Sequence, residues 1–138
     1  MSLAPRDTLP DAVRRAFAPL LEDHGFRMVD ECDHVVRLQS PTLGAQATVD
    51  PRGEVAIEVY RLGHEDPFDR WTWSGMVGRA SLTRVLEIAM ERLQADEAVL
   101  RGDSTYFDQL AMENKRISEE WTAYYAGKGP RPQTGKLP

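Results

Sequence analysis

The chain predicts an α+β fold: an N-terminal helix, a four-stranded antiparallel meander and two long C-terminal helices packed on one face of the sheet. Three observations carry this. Apolar residues recur every three or four positions near the start and again in the last third. Between them the pattern alternates residue by residue, as half-buried strands require. Asp50-Pro51-Arg52-Gly53 then separates two such runs with residues suited to a tight turn.

The first helix is expected from Thr8 to His24. Thr8 can cap it, Pro10 falls where a missing N–H does no harm, and Asp11 suits the positive end. Leu9, Val13, Phe17, Leu20, Leu21 and His24 form its largely apolar stripe. Pro19 should kink it, having no donor for the carbonyl of Arg15, and Gly25 should end it in a left-handed conformation.

Strands are expected at "FRMVDE" and "VVRLQ", followed by the hairpin "GAQATVDPRGEVAIEVY", Gly44 to Tyr60. A type I turn with a glycine bulge pairs Asp50 with Glu54, Val49 with Val55, Ala47 with Ile57 and Ala45 with Val59. Ala45, Ala47, Val49, Val55, Ile57 and Val59 then share one face. A slip of one residue would invert that face, so turn and alternation support each other.

Arg61 to Ala80 reads as a long polar connection with room for a short fifth strand around Trp71 and Trp73. Ser81 caps the next helix, whose stripe of Leu82, Val85, Leu86, Ala89, Met90 and Leu93 is expected to continue to Leu100. Gly102 stops it and Asp103 caps a last helix from Ser104 to Ala126. There Phe107, Leu110, Asn114, Ile117, Trp121 and Tyr124 repeat at three and four, the seam of an antiparallel helix pair or a coiled-coil-like contact, with one polar interruption at Asn114. Residues 1–126 read as a single domain. Residues 127–138, "GKGPRPQTGKLP", read as a flexible Gly/Pro-rich tail.

Composition narrows the functional classes. A net charge of −5 argues against a broad nucleic-acid surface, which needs clustered Lys and Arg, unless Arg79, Arg84, Arg92 and the tail form one stripe. Cys32 is the only cysteine, so an intrachain disulfide is excluded. No apolar run is long enough to cross a bilayer, and "MSLAPRDTLP" does not read as a signal peptide, so the cytoplasm is the expected location.

The densest chemistry is "DECDHVV", Asp30 to Val36. Cys32, Asp33 and His34 are too adjacent to converge on one ion without His24 or His64, and no nucleophile–base motif surrounds them. The stretch reads as a polar hairpin tip. Ser74 in "WSGMVG" lacks the glycines of a nucleophile elbow, and Gly75 and Gly78 lack the lysine of a phosphate loop. "HEDPFD", His64 to Asp69, lacks calcium-loop spacing and reads as a solvated loop. No catalytic residue, metal or cofactor is expected.

Binding is the better prospect. Ala45 and Ala47 leave a shallow place on the aliphatic face, to be filled by a large side chain such as Trp121 or Phe107, or else left as a pocket. The opposite face should show Arg27, Arg37, Gln39, Gln46, Thr48, Glu58 and Tyr60. Tyr60, Glu58 and Arg37 are therefore partner-binding candidates. Trp71 and Trp73 join them as hot-spot residue types, although core burial is the favoured reading for both.

The order of helix, "HGF", four-strand meander and two long helices resembles that of small uncharacterised bacterial α+β proteins, including immunity-type proteins that neutralise toxins. The resemblance spans Leu20 to Tyr125 and rests on this layout with "PLLEDHGF" and "GDSTYFDQL". It implies a non-catalytic module that binds another protein, with acidic side chains set against a basic partner. Two alternatives remain open. One is a secretion-chaperone-like dimer, with a homodimer formed through the C-terminal helices. The other is an enzyme or small-ligand receptor using a pocket near Trp71/Trp73 and the Ala45/Ala47 face, with His64 or His34 converging on it.

Overall fold

The computed structural model describes residues 8–64 and 68–132. Thr8 starts helix α1 (Leu9–Ala16) by accepting the Asp11 N–H on its hydroxyl at 3.3 Å. The kink expected at Pro19 is a complete break. Phe17 leaves helical geometry at φ −100°, ψ 17°, and a second helix, α2 (Ala18–Asp23), begins beside it. The reason is local: Pro19 cannot donate to Arg15, but in the first turn of a new helix that donor is unpaired anyway. Gly25 then takes φ 71°, and the Phe26 N–H reaches back to the Leu20 carbonyl.

Five strands follow: β1 (Arg27–Glu31), β2 (Val35–Gln39), β3 (Leu43–Val49), β4 (Glu54–Arg61) and β5 (Arg70–Met76). They form one antiparallel meander in sequence order. The β3–β4 register is the expected one, with Val49 opposite Val55, Ala47 opposite Ile57 and Ala45 opposite Val59. Asp50 holds the turn by accepting the Arg52 and Glu54 N–H groups on Oδ1, each at 2.9 Å. The Glu54 N–H is the main reason its carboxyl titrates below the usual range. The fifth strand is fully formed and pairs with β4 from Glu54↔Met76 to Tyr60↔Arg70.

Strand β1 departs from simple alternation. Its register with β2 shifts between Met28 and Asp30, a bulge at Val29. Asp30 is thereby turned to the side of Arg37, and Glu31 to the helical side, where it meets Arg14 of α1.

Helices cover one face. The Cα atoms of α1 come within 8 Å of those of β2 and β3. Small residues allow that approach: Ala12 and Ala16 are buried on the helix, Ala45 and Ala47 on the strand. The shallow place is thus closed by a helix drawn near to it. Phe107 is fully buried in the core, whereas Trp121 lies outside the core cluster and fills no such gap. Helix α3 (Leu82–Ala95), capped by Ser81 through the Arg84 N–H, packs on α1, β4 and β5.

The helix expected to run to Leu100 stops at Asp96, which adopts φ −108°, ψ 71° before a short turn, α4 (Glu97–Leu100). The break lets Val99 enter the core and lets Asp96 accept the Tyr106 hydroxyl at 2.8 Å. Burial and that bond together raise the Tyr106 pKa. Gly102, at φ 65°, and the Asp103 cap then open α5 (Ser104–Tyr125). Its apolar stripe does not form the expected helix-pair seam. Phe107 and Leu110 pack into the core, and α5 meets β5, where Asn114 Nδ2 donates to the Phe68 carbonyl at 2.9 Å. An edge strand leaves outward backbone groups unpaired, and this amide gives one of the neighbouring carbonyls a donor.

Candidate functional site

The face of the sheet away from α1 and α3 is built in cross-strand rows. Arg37, Gln46, Glu58 and Thr72 stand in register across β2 to β5, with Gly44, Tyr60 and Arg70 in the next row. Arg37 donates to Gln46 Oε1 at 3.1 Å and to Asp30 Oδ2 at 3.3 Å. Arg70 donates to Glu58 Oε2 at 2.6 Å and lays its guanidinium 4.9 Å from the Tyr60 ring centroid.

Beneath that ring is Gly44. A Cβ there would fall 2.4 Å from a Tyr60 ring carbon, so the glycine is what lets the tyrosine lie flat. An aromatic ring also restores to a strand glycine the cover that its missing side chain cannot give. Tyr60 is held between a glycine floor and an arginine lid. Arg27, Asp30, Arg37, Thr72 and Ser74 are exposed around it.

Tyr60, Glu58 and Arg37 therefore share this face, as the sequence suggested. Trp71 and Trp73 do not. They pair opposite Val59 and Ile57 on the covered side, where Trp71 is buried and Trp73 packs against the core. Their period along β5 matches that of the aliphatic residues of β4, which carries both rings inward.

The residues that sequence reasoning missed lie where β4 ends. The alternation that buries Val55, Ile57 and Val59 carries Arg61 to the same side, with its side chain 12% exposed. Arg61 Nε and Nη2 donate to Asp69 Oδ2 at 3.1 and 2.5 Å, and Nη2 also reaches Asp108 Oδ1 at 3.1 Å. Burial alone would lower the pKa of Arg61, but the bonds to Asp69 and then Asp108 outweigh it and raise it.

Asp69 is only 2% exposed, which corrects the reading of His64 to Asp69 as a solvated loop. Glu65 to Pro67 of that stretch lie outside the described residues. His64 Nδ1 is 3.6 Å from Asp69 Oδ2, and Asp69 Oδ1 is buried without a partner among the described residues. A signal for this pair was present: an arginine in register with three buried aliphatics demands a carboxylate.

The surface of the described residues includes two open clefts. One, of about 290 Å³, lies between the β2–β3 turn and the end of β4 and is lined by Thr42, Leu43, Arg61, Leu62 and His64, among others. The other, of about 330 Å³, lies among His24, Gln94, Glu97, Leu100 and Arg101. The pocket suggested near Trp71/Trp73 and the Ala45/Ala47 face is not where either cleft lies, because α1 and the core occupy that space. His34 sits at the exposed β1–β2 connection, and its carbonyl accepts the Val49 N–H.

"DECDHVV" is split by the fold: Asp30 and Glu31 end β1, and Cys32 to His34 form the connection, closed by the Cys32 N–H on the Val35 carbonyl. Cys32 is exposed. Among the described residues, no group of three or more His, Cys, Asp or Glu is placed to hold a metal ion, and no helix is long and apolar enough to cross a membrane.

No protein family, curated protein or solved structure matches this chain. Its functional reading therefore rests on the geometry of the open face and of the Arg61 cleft.

Proposed function

We propose that the chain is a non-catalytic protein-binding module of the cytoplasm that receives its partner on the open face of the sheet. One observation carries this reading: Tyr60 is fixed between Gly44 and Arg70 toward one end of the face away from α1 and α3. Tyrosine and arginine are the residue types that dominate interface energetics. A side chain already held in one place loses little freedom when a partner arrives, so more of the contact energy appears as affinity. Arg37 and Glu58, each engaged with a neighbour across the strands, supply a polar rim. The carboxylates Asp30 and Glu58 are matched by Arg37 and Arg70, so this face favours a partner of mixed polarity over a uniformly basic one.

An immunity-type role, in which the bound partner loses its activity, is the form that the layout of helix, meander and two helices favours. Capture of a single stoichiometric protein from the native cell through a salt wash is expected, with at least about tenfold weaker binding for Tyr60→Ala, a hot-spot loss. Equal capture by Tyr60→Ala, or recovery of a small molecule alone, would overturn the reading. The second outcome would point instead to a small-ligand site in the cleft where Arg61 and His64 meet.

A further inference from the structure

The far end of α5 is built differently from its beginning. Phe107 and Leu110 pack into the core, but the stripe continues through Ile117, Trp121 and Tyr124, which stay partly exposed, and Tyr125 is 77% exposed. Trp121, Tyr124 and Tyr125 form a contiguous aromatic group, with ring centroids 5.4 to 5.7 Å apart.

The chain then reverses onto this group. Gly127 takes φ 73°, the Lys128 N–H bonds the Ala123 carbonyl at 2.8 Å, and Arg131 places its guanidinium 5.9 Å from the Trp121 ring centroid. Arg131 is flanked by Pro130 and Pro132. Trp121 Nε1, meanwhile, is shielded from solvent and has no acceptor among the described residues.

We propose that this aromatic end of α5 is a docking surface for an extended segment carrying arginine between prolines. In this chain its own Arg131 occupies the surface, and a partner segment of the same chemistry competes for it. Two features of the site fit one another. Prolines hold a segment extended, and aromatic-lined surfaces recognise such segments. A guanidinium is attracted to the indole face. Because the chain's own segment is tethered a few residues away, its effective concentration is high, and it sets the threshold that a partner must exceed. The surface is separate from the open sheet face, so either assignment can fail alone.

The test follows the three tryptophan indole N–H signals of the ¹⁵N-labelled full chain, with Trp121→Phe assigning the Trp121 signal. In Arg131→Ala that signal should shift, and added capped peptide Gly-Pro-Arg-Pro-Gln should return it toward its wild-type position. The wild-type chain should respond only at higher peptide concentration. Unmoved Trp71 and Trp73 signals would report an intact fold. The proposal is overturned by a Trp121 signal that ignores the peptide in Arg131→Ala. It is equally overturned by the same response to a peptide with Glu in place of Arg, or by a shift that tracks protein concentration without peptide, which would make the occupant a second copy.

Discussion

Arg61 and Arg37 make the same kind of bond, arginine to aspartate, on opposite faces of one sheet. On the covered side Arg61 and Asp69 are 12% and 3% exposed at their side chains; on the open side Arg37 and Asp30 are 51% and 57% exposed. Water decides what each pair is worth. The open pair exchanges hydration for contact at little net gain. The covered pair has given up its hydration, so each charge depends on the other being there. The contrast separates a face that holds the fold together from one whose side chains are free to meet something else.

The comparison is broken most directly by Asp69→Ala, which should lower unfolding free energy in urea by about 3 kcal/mol, against less than about 1 kcal/mol for Asp30→Ala. Similar losses for the two would mean that burial does not distinguish these faces. Packing sharpens the same contrast at smaller scale. Ala47→Leu, beneath α1, should cost about 1 to 3 kcal/mol by overfilling, whereas Thr48→Leu on the adjoining open position should stay within about 0.5 kcal/mol. A neutral Ala47→Leu would show spare volume under the helix.

The smallest effect is that of pH on the β3–β4 turn. Asp50 has a folded-state pKa below its unfolded value, chiefly through the Glu54 N–H. Its contribution is therefore complete above the unfolded carboxyl pKa and disappears as pH falls through the lower folded value. The gap in urea midpoint between wild type and Asp50→Ala should narrow across that acidic window and stay constant at neutral pH. A gap independent of pH would remove the ionised carboxylate from the account.

Much of this architecture was legible locally. The Thr8, Ser81 and Asp103 caps are where the sequence put them, because a cap needs only a side-chain oxygen and the next few N–H groups. The β3–β4 register could be read because turn and alternation constrain it twice over. The Val29 bulge left no such mark: it is set by how Asp30 and Glu31 divide between Arg37 and Arg14, residues distant in sequence. The break at Asp96 was hidden because the apolar spacing continues past it, and only packing shows that Val99 and the Tyr106 hydroxyl need the turn.

The candidate site divides in the same way. Tyr60, Glu58 and Arg37 fell on the open face by alternation alone, yet nothing near Tyr60 in sequence foretold its glycine floor sixteen residues earlier. Trp71 and Trp73 were two residues apart and bound to share a face, but which face was fixed only by pairing with β4.

Taken alone, then, the amino-acid order determined where the capped helices α1, α3 and α5 begin, which residues alternate together and that the sheet has one aliphatic side. Such features depend on neighbours within a few positions. The tertiary structure decided which helix covers that side, which carboxylate meets Arg61 and which ring is left on the surface. Those outcomes depend on contacts between distant segments, whose energies exist only once the layers have come together.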